Sequence, residues 1–247
     1  MLFRSIPIVG YVFPVHLFVY TRSSKIDILY LNCVWLNISK LTEISLEEEK
    51  VATTSAQFWD QVAERYSMQP IADTETYEKK LAETQAHMRP DMTVIEFGCG
   101  TGSTALAHAP FVSHIVATDV SQGMLAVGRQ KAIEAGVDNV TFEQAGIEDF
   151  SGADGSCDMV LALNLLHLVP DRQAALANIF RLLKPGGIFV SSTVCLSDRM
   201  WYLRPVIPVM QWLGKAPFVN FLKAEDMLSE IESAGFHKLD QIGRAHV

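Results

Sequence analysis

The sequence predicts an α/β fold with a doubly wound parallel sheet, on the basis of three observations. From residue 93 onward, apolar segments of strand length alternate with amphipathic segments of helix length. A glycine-rich turn, residues 98–102, joins the first of these strands to a helix, and Asp119 ends the second strand. Because strands separated by helices pair in parallel through right-handed crossovers, we expect helices on both faces of the sheet.

The individual elements follow from their apolar spacing and from residues that begin or end helices. Strands are predicted at Thr93–Phe97, His114–Asp119, Val140–Gln144, Cys157–Leu163, Ile188–Cys195 and Phe236–Gln241. Helices are predicted at residues 103–108, 121–135, 172–183 and 224–234. Ser121 is a suitable N-cap for the second of these helices, and Gly136 a suitable end. Two further helices are predicted between residues 53 and 88, separated by Pro70.

The composition indicates one globular domain, with or without an appendage. The chain has 247 residues, of which 49% are hydrophobic, so collagen-like, disordered and disulfide-scaffold proteins are excluded. The net charge of -8 would repel a phosphate backbone, so we expect no nucleic-acid partner. Four cysteines without a C-x-x-C pair favour neither a zinc site nor disulfides, and a cytoplasmic location is the simplest interpretation.

The first fifty residues differ in composition from the rest of the chain. They contain no alanine, whereas residues 51–247 contain 23. Their apolar stretch, residues 6–20, has 15 residues and is interrupted by Pro7 and Pro14. A membrane-spanning helix needs about 20 residues, so no stable membrane insertion is expected. We predict that residues 1–50 are a non-native or disordered extension of a domain that covers residues 51–241.

The genetic code offers an origin for both ends of the chain. The codons ATC GGA AGA GCA CAC GTC would encode Ile242 to Val247, and they resemble a sequencing adapter read in frame. The first five residues, M-L-F-R-S, correspond to bases of its reverse complement. Residues 242–247 are accordingly predicted to be an adapter-derived tail. Genomic DNA without adapter beneath either end would contradict this hypothesis.

Residues 196–222 interrupt the alternation of strands and helices. The segment contains five aromatic residues and three prolines, which makes it too apolar for a solvent-exposed loop of this length. We predict that it is an insertion that covers the substrate site, with simple packing against the sheet as the alternative. Its composition favours a small substrate that is apolar or amphipathic.

The glycine-rich turn belongs to the segment V-I-E-F-G-C-G-T-G, residues 94–102, which favours a ligand with an adenosyl group and an amino group. Its glycines let the backbone turn sharply and let a ligand approach closely. Asp119 can accept both hydroxyls of a ribose. Glu96 would repel a pyrophosphate by roughly 1–4 kcal/mol but attract an amino group. The dinucleotide pattern would also require glycine where Ser103 stands.

Three further segments complete the pattern: A-T-D-V-S at residues 117–121, C-D-M-V-L-A-L-N-L-L-H-L-V-P-D at residues 157–171, and R-L-L-K-P-G-G at residues 181–187. With them, the sequence resembles the class I S-adenosylmethionine-dependent methyltransferases of the small-molecule kind, which include the quinone-biosynthesis methyltransferases. The resemblance covers about residues 53–241. It implies a Rossmann-like sheet, S-adenosyl-L-methionine as cofactor and a small-molecule methyl acceptor. The oligomeric state stays open.

The resemblance also implies which residues bind the cofactor. They are Tyr66, Glu96, Gly98, Gly100, Asp119, Val120, Met124, Gly146, Ile147 and Asn164. Glu96 and the two glycines would hold the methionine moiety, and Asp119 the ribose. The family usually has an acidic residue near the adenine amino group where Gly146 stands, so only backbone contact is expected there. Core packing is an equal interpretation for Met124 and Tyr66, and a turn position for Asn164.

Other catalytic interpretations are weaker. His167 is a candidate general base, with a structural role in its apolar surroundings as the alternative. No metal site is predicted. An NAD(P)-dependent oxidoreductase on a similar sheet is disfavoured by Glu96, by Ser103 and by the lack of a Tyr-x-x-x-Lys pair. A non-catalytic adenosylmethionine-binding module is the third possibility, and a filled acceptor pocket would indicate it.

The end of the chain leads to one more structural expectation. In the family, a seventh strand close to the C-terminus inserts antiparallel between the fifth and sixth strands, and nothing after Gln241 is long or apolar enough to supply it. The sheet is therefore predicted to lack its last strand through C-terminal truncation. Residues 236–241 are expected to pair poorly and to leave one sheet edge exposed.

Overall fold

The computed structural model describes residues 15–22, 55–71, 73–195 and 204–244. The strands of its seven-stranded sheet are β1 Val15–Arg22, β2 Thr93–Phe97, β3 His114–Asp119, β4 Val140–Gln144, β5 Cys157–Leu163, β6 Leu183–Val194 and β7 Phe236–Arg244. The helices are α1 at residues 55–67, α2 Thr74–Gln85, α3 Ser103–His108, α4 Gln122–Ala135, α5 Arg172–Leu182, α6 Val206–Trp212 and α7 Ala224–Ser233. The strand order is β4-β3-β2-β5-β6-β1-β7.

The α/β prediction is confirmed, and the bounds of β2 to β5 agree with it residue by residue. Ser121 caps α4 as predicted, because its Oγ accepts the Met124 N–H at 3.0 Å. The break between α1 and α2 falls at Pro70, also as predicted. β6 begins five residues earlier than expected, at Leu183, because this residue already pairs with Cys157 of β5.

The parallel part of the sheet determines where a ligand can bind. β2 pairs in parallel with both β3 and β5, while β4 and β6 continue the sheet outward on either side. The chain therefore proceeds from β2 toward one edge and returns to the other side at β5. In doubly wound sheets, ligands bind at the carboxyl ends of the strands, beside such a reversal of strand order.

Two apolar clusters pack on opposite faces of the sheet. Alternate residues of each strand supply them: Ile95 and Phe97 of β2 lie on one face, and Val94 lies on the other. The first face is covered by residues of α5 and α7, and the second by residues of α3 and α4. Both faces of the sheet are thus buried, which explains why its central strands β2 and β5 are mostly apolar.

The expectation that residues 236–241 pair poorly and leave a sheet edge exposed is wrong for this structure, whereas the loss of a C-terminal strand through truncation stays a prediction. β7 pairs antiparallel with β1 from Phe236 to Arg244, and β1 also pairs antiparallel with β6. The position expected to be empty is therefore filled, by a strand from the N-terminal segment rather than from the C-terminal one. A strand can occupy this position from either end of the chain, because pairing requires only the correct direction and apolar pattern.

β1 lies within residues 1–50, the segment that was predicted to be an extension of the domain. Its Val19 and Tyr20 are fully buried, one on each face of the sheet. The Tyr20 ring stacks on Phe189 of β6 at 5.8 Å and meets Phe236 of β7 edge-on at 6.4 Å. Residues 15–22 thus form a strand within the sheet, and β7 continues to residue 244. That residues 1–50 are a non-native or disordered extension and that the domain covers residues 51–241 stay predictions. The remaining predicted extension and tail, residues 1–14, 23–50 and 245–247, lie outside the described residues, and the foreign origin of both ends stays a prediction.

No described helix combines the length and the apolar character that crossing a bilayer would require.

Candidate cofactor and acceptor site

A cleft of about 1070 Å³ opens at the carboxyl ends of the parallel strands. Its walls come from the glycine-rich turn after β2, the end of β3, the turn after β4 and the residues that follow β5. Residues of α1 and of the connection to α2 form another side. The cleft thus lies at the reversal of strand order, where the sheet topology predicts a ligand.

The glycine-rich turn presents its backbone to this cleft. Gly98 and Gly100 have φ angles of 64° and 54°, in the left-handed region that only glycine adopts readily. A Cβ atom on Gly98 would lie 2.7 Å from Leu165 Cδ1, whereas a Cβ on Gly100 would meet no atom within 4 Å. Gly98 is therefore required for packing and for its φ angle. Gly100 leaves open space beside the backbone for a ligand.

Asp119 closes the glycine-rich turn from the end of β3. Its Oδ2 accepts the Gly100 N–H at 2.9 Å, and its Oδ1 accepts the Ser121 N–H at 2.9 Å. Burial raises the pKa of this carboxyl, and its backbone hydrogen bonds oppose that shift. Each carboxylate oxygen accepts two hydrogen bonds, so both oxygens keep capacity for one hydroxyl each. This geometry suits the two hydroxyls of a ribose.

Glu96 is the most unusual charged residue of the cleft. It is only 2% exposed, and its Oε2 atom has no hydrogen-bond partner among the residues that the structure describes. Burial, followed by the negative charge of Asp119, raises its pKa to about 8. A buried carboxyl without a partner is costly unless a ligand completes it. An ammonium group would do so, which fits the amino group of S-adenosylmethionine.

The raised pKa of Glu96 predicts a pH dependence of stability in the ligand-free protein. The folded chain binds the Glu96 proton more tightly than the unfolded chain does. The protonated Glu96 carboxyl therefore makes its full contribution to the free energy of unfolding below the pKa of an unfolded glutamate. This contribution is lost as pH rises through about 8. We expect the free energy of unfolding to fall by up to about 1.4 kcal/mol per pH unit from this residue. Denaturant titrations at several pH values between 5 and 8 measure the free energy of unfolding. This free energy should change less with pH in Glu96→Gln than in the wild type, and an equal change with pH would contradict the assignment.

α1 forms one side of the cleft, where the predicted cofactor residue Tyr66 is joined by contacts that the sequence did not indicate. Trp59 and Tyr66 both line the cleft, with their rings edge-to-face at 6.1 Å. Burial, followed by the charge of Asp119, raises the pKa of Tyr66. Asp60 Oδ1 accepts hydrogen bonds from Ser121 Oγ at 2.6 Å and from the Gly123 N–H at 2.8 Å. Asp60 therefore ties α1 to the start of α4, across more than sixty residues of sequence.

Four other residues that were predicted to bind the cofactor also lie together. Val120, Met124, Gly146 and Ile147 all line the cleft. Met124 is 2% exposed and packs against Val62 and Ala63 of α1, as the core-packing interpretation requires, while its contact with the cofactor stays a prediction. A Cβ on Gly146 would lie 3.4 Å from Asp149 Oδ2 and 3.5 Å from Glu148 Oε2. The space of the missing side chain is thus bordered by two carboxylates.

Asn164 and His167 follow β5, but only one of them reaches the cleft. Asn164 lines it, whereas His167 is not among its lining residues. The His167 Nδ1 atom is buried without a partner among the described residues, and burial lowers the pKa of this histidine to about 4. Its carbonyl oxygen accepts the Asn220 N–H at 2.7 Å. This geometry favours the structural interpretation of His167 over the general-base hypothesis.

The predicted insertion, residues 196–222, does not form a wall of the cleft where it is described. None of its residues from 204 to 222 is a lining residue. Asn220 attaches this segment to the turn after β5, since its Nδ2 donates to the Val169 carbonyl oxygen at 2.7 Å. Residues 196–203 lie outside the described part. Within the described ranges, no group of three His, Cys, Asp or Glu side chains is arranged to hold a metal ion.

Comparison with known proteins gives a consistent result. Residues 94–187 match the family described as "Methyltransferase domain". The ubiquinone biosynthesis O-methyltransferase of Acinetobacter baumannii (strain AYE) is 26% identical over 212 residues, which cover 83% of this chain and 88% of that protein. The ubiquinone/menaquinone biosynthesis C-methyltransferase of Vibrio vulnificus (strain YJ016) is 33% identical over 148 residues, covering 57% of this chain and 56% of that protein.

Solved structures share the fold. A methyltransferase structure from Bacillus halodurans has a TM-score of 0.56 and 24% identity, and the match covers 64% of this chain and 67% of that chain. The cyclase SpnF has a TM-score of 0.54 and 26% identity, with 67% of this chain and 57% of that chain covered. Since the same fold includes an enzyme named as a cyclase, the function must be argued from the site and the sequence relatives.

The glycine-rich turn, the Asp119 carboxylate and the unpartnered Glu96 carboxyl agree with these similarities. Together these findings indicate a class I S-adenosylmethionine-dependent methyltransferase with a Rossmann-like fold. Within that class it resembles the quinone-biosynthesis methyltransferases, as the sequence predicted.

Proposed function

We propose that this enzyme transfers a methyl group from S-adenosylmethionine to a small apolar or amphipathic molecule. The observation that carries the proposal is the buried, unpartnered Glu96 carboxyl beside the Asp119 carboxylate in one cleft. The first group suits an amino group, and the second a ribose. Two relatives are named for ubiquinone biosynthesis, which supports an acceptor with an apolar part.

The chain's own residues bind and orient the two reactants, and they exclude water from the site. When bound, S-adenosylmethionine supplies a methyl group on a positively charged sulfur, so no nucleophilic side chain is required. The proposed binding residues are Tyr66, Glu96, Gly98, Gly100, Asp119, Val120, Met124, Gly146, Ile147 and Asn164, all of which line the cleft. α1 would exclude water above them and so favour alignment of the two reactants.

The acceptor would occupy the part of the cleft beside β5. Leu163, Leu165, Leu168, Val169 and Pro170 line this part, together with Asn164. Such an apolar wall with one amide fits a small molecule that has an apolar body and a polar group. No residue that the structure describes fills the space beside this wall, which supports a catalytic enzyme over a non-catalytic binding module.

The charges of the cleft favour a small-molecule acceptor over nucleic acid. Its lining residues include five carboxylates and, within the described part of the chain, one cation, Lys131. This balance and the net charge of -8 disfavour nucleic acid and a dinucleotide pyrophosphate, so we propose a small-molecule acceptor. A cytoplasmic location is proposed on the cysteine pattern alone.

Thermal unfolding of the full chain with candidate ligands tests the cofactor. At about 100 times its dissociation constant, S-adenosylhomocysteine should stabilise the protein by roughly 2.7 kcal/mol, which raises the midpoint by several degrees. NAD and NADP serve as controls and should leave the midpoint unchanged. A shift with NAD or NADP alone would overturn the proposal. No shift with any of the three would indicate a domain that does not bind the cofactor.

A further inference from the structure

Lys131 is the one cation among the described residues that line the cleft, whereas five of the lining residues are carboxylates. It lies on α4, and its ammonium donates to Thr101 Oγ1 at 2.9 Å and to Ser103 Oγ at 3.0 Å. Thr101 belongs to the glycine-rich turn, and Ser103 begins α3. Long side chains of a helix lean toward its N-terminus, which lets Lys131 reach this turn. Two hydroxyls therefore hold the ammonium beside the glycine-rich turn.

The ammonium and the two hydroxyls form a group of hydrogen-bond donors. An ammonium has three N–H donors and no acceptor, so one N–H remains beyond the contacts with the two hydroxyl oxygens. For the same reason the hydroxyl hydrogens of Thr101 and Ser103 point away from Lys131, and neither donates to a residue that the structure describes. Thr101 is 6% exposed, so its hydroxyl has little access to water. An anion would accept hydrogen bonds from all three groups.

The charge of Lys131 is not neutralised by the protein where it is described. Lys131 takes part in none of the ion pairs between described residues. Partial burial lowers the pKa of its ammonium, and an anion beside it would oppose that shift. The other charged residues that line the described cleft are carboxylates, which repel an anion. Lys131 is thus the described charge that attracts an anionic part of a ligand.

The proposed cofactor has such a part, because S-adenosylmethionine carries a carboxylate on the same carbon atom as its amino group. The glycine-rich turn connects the two protein charges, since Glu96 precedes the turn and Lys131 is held by Thr101 within it. We propose that Lys131, together with Thr101 and Ser103, binds the carboxylate of the cofactor. The inference rests on the proposed function, because it takes S-adenosylmethionine as the ligand. Glu96 and Lys131 would then bind the two opposite charges of one amino-acid group.

The test compares S-adenosylhomocysteine with its decarboxylated form, which keeps the adenosine and the amino group but lacks the carboxylate. Isothermal titration calorimetry with the full chain measures both dissociation constants. In the wild type, S-adenosylhomocysteine should bind at least about tenfold more tightly than the decarboxylated form. Lys131→Met should bring the ratio of the two dissociation constants close to one. It should do so by weakening S-adenosylhomocysteine and leaving the decarboxylated form unchanged.

Two further sets of variants separate the carboxylate contact from other effects. Lys79→Met is the matched control, because Lys79 is an exposed lysine of a helix outside the cleft, and its ratio should equal that of the wild type. Thr101→Val removes a hydroxyl donor at almost constant side-chain volume and should lower the ratio. Thr101→Ser keeps the hydroxyl and should restore it. The thermal midpoint of each ligand-free variant shows whether it is folded.

Three results would overturn the inference. One is a wild type that binds both ligands equally well. Another is a folded Lys131→Met protein that keeps the wild-type ratio, or, if this variant does not fold, an unchanged ratio in Thr101→Val. The third is an equal fall of the ratio in Lys131→Met and Lys79→Met. Absence of binding of both ligands to the wild type would instead overturn the proposed function, and the inference with it.

Discussion

Deletion of residues 1–22 should abolish cooperative unfolding of this protein. Without β1, the facing edges of β6 and β7 lose their pairing, and both faces of the sheet lose a buried side chain. Natural domains are stable by only about 5–15 kcal/mol, so the loss of an internal strand removes most of that margin. Thermal unfolding followed by circular dichroism measures the effect, and we expect aggregation before a defined transition.

A substitution within β1 tests the same point without shortening the chain. Tyr20→Ala should cost about 3–5 kcal/mol, because it removes a fully buried ring that contacts Phe189 and Phe236. Thr21→Ala, one residue along the same strand and only partly buried, is the control and should cost far less. If a chain that starts at residue 51 unfolds cooperatively at the wild-type midpoint, β1 does not stabilise the sheet.

Asp119→Ala should weaken the binding of S-adenosylhomocysteine at least about 100-fold. The variant removes the acceptor of two proposed ribose hydrogen bonds, and a hydrogen bond to a charged group contributes about 1.5–3 kcal/mol. It also removes the acceptor that holds the Gly100 N–H, so the glycine-rich turn loses its closure. Isothermal titration calorimetry with the full chain measures the dissociation constant.

The matched control for Asp119 is Asp138→Ala, because Asp138 is an exposed carboxylate outside the cleft. This variant should bind S-adenosylhomocysteine as the wild type does, which separates the role of Asp119 from a change in overall charge. The thermal midpoint of ligand-free Asp119→Ala shows whether the variant is folded. A folded Asp119→Ala protein with a dissociation constant within about threefold of the wild type would contradict the ribose assignment.

The residues that line the cleft could be predicted from the sequence because they follow local rules. The turn at residues 98–102 requires glycines for its φ angles, and Asp119 stands at the end of a clearly apolar strand. The long-range contacts beside this site could not be predicted in this way. Asp60 and Lys131 contact partners 61 and 30 residues away, and neither residue belongs to a pattern that indicates its partner.

The sequence by itself determined the class of fold, the strands β2 to β5 and the position of the glycine-rich turn, because apolar spacing and glycine requirements act over a few residues. Only the tertiary structure decided that β1 completes the sheet and that Asp60 ties α1 to the start of α4. These outcomes depend on pairing between distant segments. An apolar stretch such as residues 15–22 is compatible with any buried strand position, so its place is set by which edges the rest of the sheet leaves open.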